Sequence, residues 1–278
     1  MSDNISVNSI YGYNAETPNL TGGKGKVKAS LNEAAWGIFN SDNGVNGEID
    51  EAVFQGQSGD CWLISGLISL SYTEEGQELI QNAITQNEDG SYQVTFEGVD
   101  KTYTITQDEL ESADKSSLLS GLGIVKSKYS TGDDDMLLIE LAMEKLIDEG
   151  EIPIETIDGL TGGSAYYFYQ IFTKNEVSYS NGEDVEEIAG LIDYYSTYQD
   201  SCAATIGVET GFAGLTDDHA YAVKSINDSY ITLVNPWDTT EDIEVSIEDL
   251  ASNIGNYDLS VVNNETEESS SYFEDYYA

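Results

Sequence analysis

The stretch QGQSGDCWLISGLISL, Gln55 to Leu70, holds the sharpest change of composition in this 278-residue chain. From Cys61 onward it is apolar on almost every side, which predicts a buried helix. The Ser-Gly-Asp before the cysteine predicts a tight turn, and Asp60 stands where an acidic side chain can cap free helix amides. A thiol in the first helical turn faces the positive end of the helix dipole, which favours the thiolate. An inert core cysteine remains the alternative.

The segments that follow divide into a helix-rich first half and a strand-rich second half. Acid-led amphipathic runs predict helices at 73–84 and 133–150, and period-two alternation predicts a hairpin around Val99-Asp100. LTGGS, residues 160–164, predicts a flexible joint, and 164–174 reads as a helix. Strand patterns then dominate at 202–210, 219–226 and 230–237, the last two joined by an Asn227-Asp228 turn. The sequence therefore predicts an α+β protein with two lobes.

Charge separates the classes of partner. The net charge is −42, from 52 acidic residues against 10 basic ones, and 40% of the residues are hydrophobic, which is enough for a core. Nucleic acid and anionic membranes need cationic contacts, so we expect neither as a partner. We expect protein or peptide partners, basic ones included, and a monomer.

The two cysteines, Cys61 and Cys202, exclude a disulfide framework and a zinc knuckle. No apolar run approaches 18 residues, so we expect no membrane span. The first residues, MSDNISVNSIYGYN, lack the cationic start and apolar run of a cleavable signal peptide. We expect export without such a signal in preference to cytoplasmic residence.

The residues that could carry chemistry converge on one thiol. His219 is the single histidine of the chain, so any thiol-imidazole pair must use it. Asn235 ends the strand that pairs with the histidine strand, where its amide oxygen could accept the imidazole N–H and fix the ring. Trp237 could shield that bond from water. The side-chain amide of Gln55, with the Cys61 backbone N–H, could bind an oxyanion. Each residue also has an ordinary structural interpretation.

The motifs resemble those of calpains, which are papain-like cysteine peptidases. QGQSGDCWLISGLISL resembles the calpain cysteine block, DHAYAV at 218–223 its histidine block, and VNPW at 234–237 its asparagine block. ELAMEKL followed by LTGGS is similar to a further calpain stretch. The likeness runs from about Asp50 to Asp238 in the family's order. It implies a papain-like two-lobed fold, with a helical N-terminal lobe and an antiparallel β C-terminal lobe.

The resemblance also implies roles. Cys61 would be the nucleophile, His219 the base, Asn235 the orienting amide and Gln55 the oxyanion donor. Substrate contacts would come from Gly162, Gly163, Trp62, Trp237 and Asp218. The implied division is a polar extension at 1–45, a helical lobe at 46–163, a β-rich lobe at 164–264 and an acidic tail at 265–278.

Calcium is the one cofactor that the resemblance raises, since the chemistry itself needs none. Animal calpains bind calcium in each lobe, partly through an Asp three residues before the glutamine, and this chain has Ala52 there. Glu241 does match an acidic calcium position of the second lobe. Calpains also carry a glycine just before the histidine, where this chain has Asp218. The calcium requirement therefore stays open.

Three functions remain compatible with these residues. The main prediction is a calpain-like cysteine endopeptidase that works through a Cys-His-Asn triad and a thioester. A papain-fold acyltransferase or deamidase, as in transglutaminases, shares the chemistry as far as the thioester. The third alternative is a catalytically silent scaffold that binds partners through its acidic surface.

Overall fold

The computed structural model describes residues 45–49, 53–113, 127–150 and 156–264. The predicted extension at 1–45, apart from Val45, and the predicted tail at 265–278 lie outside the described residues. The proposed domain boundaries therefore stay predictions.

The first part of the chain combines helices with a small sheet. Helix α1 is Cys61–Leu70 and helix α2 is Glu74–Ala83. Thr73 caps the start of α2, because its hydroxyl accepts a hydrogen bond from the Gly76 amide. Strands β1 (Ile84–Gln86), β2 (Tyr92–Phe96) and β3 (Lys101–Ile105) form an antiparallel sheet in that order. A 3-10 turn at Glu97–Val99 joins β2 to β3, which confirms the predicted hairpin. Residues 107–113 are also helical.

Two further helices follow, and side-chain caps begin both. Helix α3 is Asp134–Glu149; Asp133 accepts from the Met136 amide, and Gly150 ends the helix in the left-handed conformation that suits glycine. Helix α4 is Ala165–Phe172, and the Ser164 hydroxyl accepts from the Tyr166 amide at its start. Both helices agree with the sequence pattern.

The second half is built on a six-stranded antiparallel sheet. Its strand order is β4-β9-β5-β6-β7-β8. The strands are β4 (Val177–Ser180), β5 (Cys202–Val208), β6 (His219–Ile226), β7 (Tyr230–Asn235), β8 (Asp238–Ser246) and β9 (Tyr257–Asn263). Helices α5 (Val185–Tyr198) and α6 (Ile247–Ser252) accompany it. Helix α5 is absent from the sequence-based prediction, although Asp184 caps it well, accepting from the Glu186 and Glu187 amides.

The sheet separates two apolar clusters because its side chains alternate between two faces. Helices α1, α3 and α4 supply most of the first cluster, and Ala203 of β5 and Ala222 of β6 reach it from the sheet. The other face joins a second cluster with Ile188, Leu191 and Tyr195 of α5; β5 contributes Cys202, Ala204, Ile206 and Val208. Helix α1 thus packs on β5 and β6, which brings Cys61 to the start of β6.

The antiparallel sheets and helices confirm the predicted α+β class. The division into two lobes stays a prediction. In the part of the chain that the structure describes, no helix is both long and apolar enough to cross a membrane.

Candidate active site

The loop before Cys61 is fixed by backbone hydrogen bonds to two other parts of the chain. Phe54 forms an isolated bridge with Thr131, and the Gln57 amide donates to the Ser127 carbonyl at 3.0 Å. The Gln55 amide donates to the Pro236 carbonyl at 2.7 Å, next to Asn235. The loop that carries Gln55 is therefore held against the turn that follows β7.

Asp60 occupies the N-cap position of α1 but does not cap the helix. Its side chain makes no capping bond, and it is completely buried. Only its carbonyl serves the helix, accepting from the Leu63 and Ile64 amides. The expectation that the Asp60 carboxyl caps helix amides is wrong, because this carboxyl turns away from the helix end toward Gln55 and Glu140.

The Cys61 thiol lies at the first turn of α1 beside the start of β6. Cys61 is half-buried, and the backbone N–H of Ala220, the residue after His219, donates to its sulfur. Burial, opposed by the Ala220 amide and assisted by the nearby Asp60, raises the pKa of the Cys61 thiol to about 11. The expectation that the helix end favours the thiolate does not hold in this state, because desolvation outweighs it.

His219 is held by Asn235 and Trp237. Its Nε2 lies 2.8 Å from Asn235 Oδ1, and its ring stacks on the Trp237 indole with centroids 3.9 Å apart. Only 4% of His219 is exposed, and this burial lowers its pKa to about 4, although the Asn235 bond acts in the opposite direction. Both partners of the predicted thiol-imidazole pair therefore favour their neutral forms.

The Asn235 contacts also fix which imidazole nitrogen carries the proton. The Trp237 backbone N–H donates to Asn235 Oδ1 at 2.9 Å, so the atom facing His219 is the amide oxygen. An oxygen can only accept, and Nε2 must then be protonated in the neutral ring. Nδ1 is left with the lone pair that a base needs. In the described residues no hydrogen bond joins the sulfur directly to the imidazole; the link between them runs through Ala220.

Gln55 has its side-chain amide engaged within the same loop. Its Nε2 donates to the Ser58 carbonyl at 2.8 Å and to Asp60 Oδ1 at 2.9 Å. An amide has two N–H groups, so both are used here. Donation to an oxyanion, the role predicted for Gln55, would require one of these bonds to be exchanged for the ligand.

The glycine pair predicted to hold a substrate is itself packed. The Gly162 amide donates to the Gly59 carbonyl at 2.9 Å, just before Asp60 and Cys61. Gly163 lies against the Trp62 indole, which leaves no room for a side chain. Trp62 is buried, and its Nε1–H donates to the Leu160 carbonyl at 2.8 Å. Residues 160–164, expected to be a flexible joint, are thus tied to the cysteine loop.

Asp218, the residue before His219, is exposed and adopts the left-handed backbone region with φ 50°. This conformation is costly for most residues but tolerated by Asp and free for glycine. Aspartate is thus one of the residue types that this backbone conformation admits, as glycine is. Whether Asp218 or Trp237 touches a substrate stays a prediction.

The described residues do not supply a metal site. Among them, no group of three or more His, Cys, Asp or Glu side chains is arranged to hold a metal ion. Glu241 is exposed on β8, and Ala52 lies outside the described residues.

Glu140 is the residue of the site that sequence reasoning missed. It lies on α3, is completely buried, and brings its carboxyl within hydrogen-bonding distance of the Asp60 carboxyl. The signal was available, because Glu140 interrupts the apolar run Met136–Ala142. A buried acid of this kind needs a partner.

The comparisons with known proteins identify the family. No curated protein matches this chain. The family model described as "Calpain family cysteine protease" matches residues 37–244, which is three quarters of the sequence and includes Gln55, Cys61, His219 and Asn235. The chain therefore belongs to the calpain family of cysteine proteases.

Proposed function

We propose that this protein is a calpain-like cysteine endopeptidase in which Cys61 is the nucleophile, His219 the base and Asn235 the residue that orients the imidazole. The observation that carries the proposal is the arrangement around β6. Asn235 holds Nε2 of His219 and leaves Nδ1 free, while the next backbone amide along β6 contacts the Cys61 sulfur.

The chemistry starts from a neutral pair. As the sulfur attacks a peptide carbonyl, His219 Nδ1 takes the thiol proton, and a C–S bond forms. The Cys61 backbone N–H and the Gln55 amide, once released from one partner, stabilise the oxyanion. His219 then returns its proton to the leaving amine, and the C–N bond breaks to give a thioester. Water, deprotonated by His219, then attacks the thioester carbon; the C–S bond breaks, the carboxylic acid leaves, and His219 returns the proton to the Cys61 sulfur.

Burial supports this order of events. With the thiol pKa raised and the imidazole pKa lowered, the resting charges of an ion pair are disfavoured. Proton transfer then accompanies attack, when the oxyanion contributes its own stabilisation. The two apolar clusters on opposite faces of the sheet support a two-lobed arrangement, and the acidic composition favours cationic peptides as substrates.

The test is product analysis on an unstructured protein substrate. Wild type and Cys61→Ala are incubated with it, with calcium and with a chelator in separate arms, and the products are analysed by mass spectrometry. Cys202→Ala is the matched control, because Cys202 is the other thiol and is buried in the second cluster. We expect new peptide termini with wild type and Cys202→Ala, and none with Cys61→Ala.

The other outcomes separate the rival functions. Deamidated or cross-linked glutamine without new peptide termini would show that the protein is an acyltransferase or deamidase and not an endopeptidase. New termini that persist with Cys61→Ala would remove Cys61 from the mechanism. No product at all, with iodoacetamide labelling Cys61 no faster than Cys202, would favour a scaffold.

A further inference from the structure

Two buried carboxyl groups lie directly behind the cysteine. Asp60 and Glu140 are each completely buried, and their carboxyls lie within hydrogen-bonding distance of each other. In the part of the chain that the structure describes, no ion pair involves either group. Two adjacent carboxylates without a cation cannot both be ionised, so a pair of this kind retains a proton.

Each of the two carboxyls has one oxygen without a hydrogen-bond partner, which favours a shared proton. Asp60 Oδ1 accepts from Gln55 and Glu140 Oε2 accepts from Ser130, but Asp60 Oδ2 and Glu140 Oε1 have no partner when both groups are ionised. A single proton shared by the two carboxyls supplies the donor that the pair lacks. Buried polar atoms are rarely left unpaired, so the protonated pair is the favoured state.

The donors around the pair assign the proton to Asp60. Glu140 Oε2 accepts two hydrogen bonds from Ser130, from the backbone N–H at 2.9 Å and from Oγ at 2.6 Å. Asp60 accepts only one from another residue, Gln55, besides the contact with its own backbone N–H. The group with more donors is the better carboxylate, so Glu140 holds the charge. Burial and the contact with Glu140 raise the pKa of Asp60 well above its ordinary value. Burial also raises the pKa of Glu140, but there the hydrogen bonds from Asp60 and Ser130 act in the opposite direction, which agrees with this assignment.

The protonation state of Asp60 affects two groups of the site, the Gln55 side-chain amide and the Cys61 thiol. A carboxylate would bind the Gln55 N–H through a charge-assisted bond, roughly twice as strong as a neutral one, and would hinder release of that N–H to an oxyanion. An ionised Asp60 would also oppose thiolate formation, because a negative charge at this position raises the pKa of the Cys61 thiol. The remaining charged neighbour, Glu144, lies beyond Glu140 and pairs with Lys128.

We propose that Asp60 and Glu140 share one proton, held on Asp60, and that the neutral Asp60 is a positioning residue that keeps the Gln55 amide available beside the Cys61 thiol. This inference rests on the proposed function for the role of Gln55, but the shared proton itself does not.

The first experiment measures the proton without using activity. The free energy of unfolding is followed between pH 4.5 and 9 for wild type and Asp60→Asn, an isostere that keeps an N–H for Glu140 and an oxygen for Gln55. The unfolded Asp60 ionises near pH 4, whereas the native one keeps its proton, so wild type loses stability as pH rises toward the native pKa. As pH rises, the folded-to-unfolded ratio of wild type should fall about tenfold per pH unit relative to that of Asp60→Asn. A difference that does not change with pH overturns the shared proton.

The second experiment separates positioning from mere packing. In Glu140→Gln, the new amide oxygen keeps the Ser130 bonds and its NH₂ faces Asp60, which favours the ionised Asp60. We expect kcat/KM and the rate of Cys61 alkylation by iodoacetamide to fall about tenfold in this variant. Asp60→Asn should stay within about threefold of wild type, since it mimics the neutral acid. Asp148→Asn, an exposed acid on the same helix, is the control.

Equal losses of kcat/KM in Asp60→Asn and Glu140→Gln would show that the pair has only a structural role. Wild-type kcat/KM in both variants would show that the pair does not influence the site. If Glu140→Gln does not fold, Ser130→Ala tests the same point, because it removes one donor from Glu140 and leaves both carboxyls. If Cys61→Ala leaves product formation unchanged, the proposed function is wrong. The unfolding measurements would still test whether Asp60 and Glu140 share a proton, because they do not depend on activity.

Discussion

The His219 imidazole lies nearly parallel to the Trp237 indole, with ring centroids 3.9 Å apart and planes inclined by 26°. The same tryptophan donates its backbone N–H to Asn235 Oδ1, which also faces His219 Nε2. One residue therefore both covers the imidazole and fixes the amide that orients it.

Replacing Trp237 should change the acid limb of activity. Trp237→Leu keeps the backbone N–H but removes the stacked ring, so water reaches His219 and its pKa returns from about 4 toward the ordinary 6.5. We expect the acid midpoint of kcat/KM to move to higher pH and the rate at neutral pH to fall about tenfold or more. Trp237→Phe, which can still stack, should lie between the two. An unchanged acid limb in Trp237→Leu would show that the indole does not control the imidazole.

The buried imidazole should also make stability depend on pH. Below the ordinary pKa of 6.5 the unfolded chain takes up a proton at His219 that the native protein does not bind until about pH 4. Stability is therefore fully present above pH 6.5 and is lost as pH falls through that window, by roughly 3 kcal/mol in total. His219→Gln removes the single histidine, and the difference between its unfolding curve and that of wild type isolates this effect. Parallel curves from pH 7 to pH 4 would contradict it.

Thr239 links the loop before Gln55 to the start of β8. Its Oγ1 accepts from the Val53 N–H at 2.9 Å and donates to the Val53 carbonyl at 3.0 Å. Thr239→Val keeps the shape but leaves both backbone groups of buried Val53 without that partner, which should cost about 1–3 kcal/mol of unfolding free energy. Thr239→Ser retains the hydroxyl and should lose much less. Denaturant unfolding of the three proteins is the measurement, and equal stability of the Val and Ser variants would exclude this role.

Gly163 is constrained by Trp62 as well as by any substrate. A methyl group at this position collides with the indole, so Gly163→Ala should lower the free energy of unfolding by about 1–3 kcal/mol. Trp62→Phe makes room for the methyl group, and the double variant should therefore lose less than the sum of the two single losses. Additive losses would mean that the two side chains do not meet.

Much of the fold follows from local pattern. The apolar run after Cys61 predicts α1, and alternation predicts β2, β3, β5, β6 and β7. The sequence-based prediction missed helix α5. Its buried positions Ile188, Leu191 and Tyr195 recur with a helical period, which that prediction did not use. Strands β4 and β9 pair with segments far away in the sequence, and these partners cannot be read from the residues of the two strands themselves.

Asp60 marks the limit of local reasoning at the site. Its position before an apolar helix predicts a cap, and caps are local features. Its actual partners are Gln55 and Glu140, the latter brought from α3 by core packing. Likewise the helix end favours a thiolate at Cys61, but burial by the rest of the protein has the larger effect on the thiol pKa.

The sequence by itself determined the α+β class, the order of the cysteine, histidine and asparagine blocks, and the family. These depend on residue identity, spacing and short-range periodicity, which are written along the chain. Only the tertiary structure decided that Nδ1 of His219 is the free nitrogen, that both N–H groups of Gln55 are engaged, and that Asp60 meets Glu140. Desolvation and hydrogen-bond direction depend on which distant residues exclude water from a group, and folding alone brings those residues together.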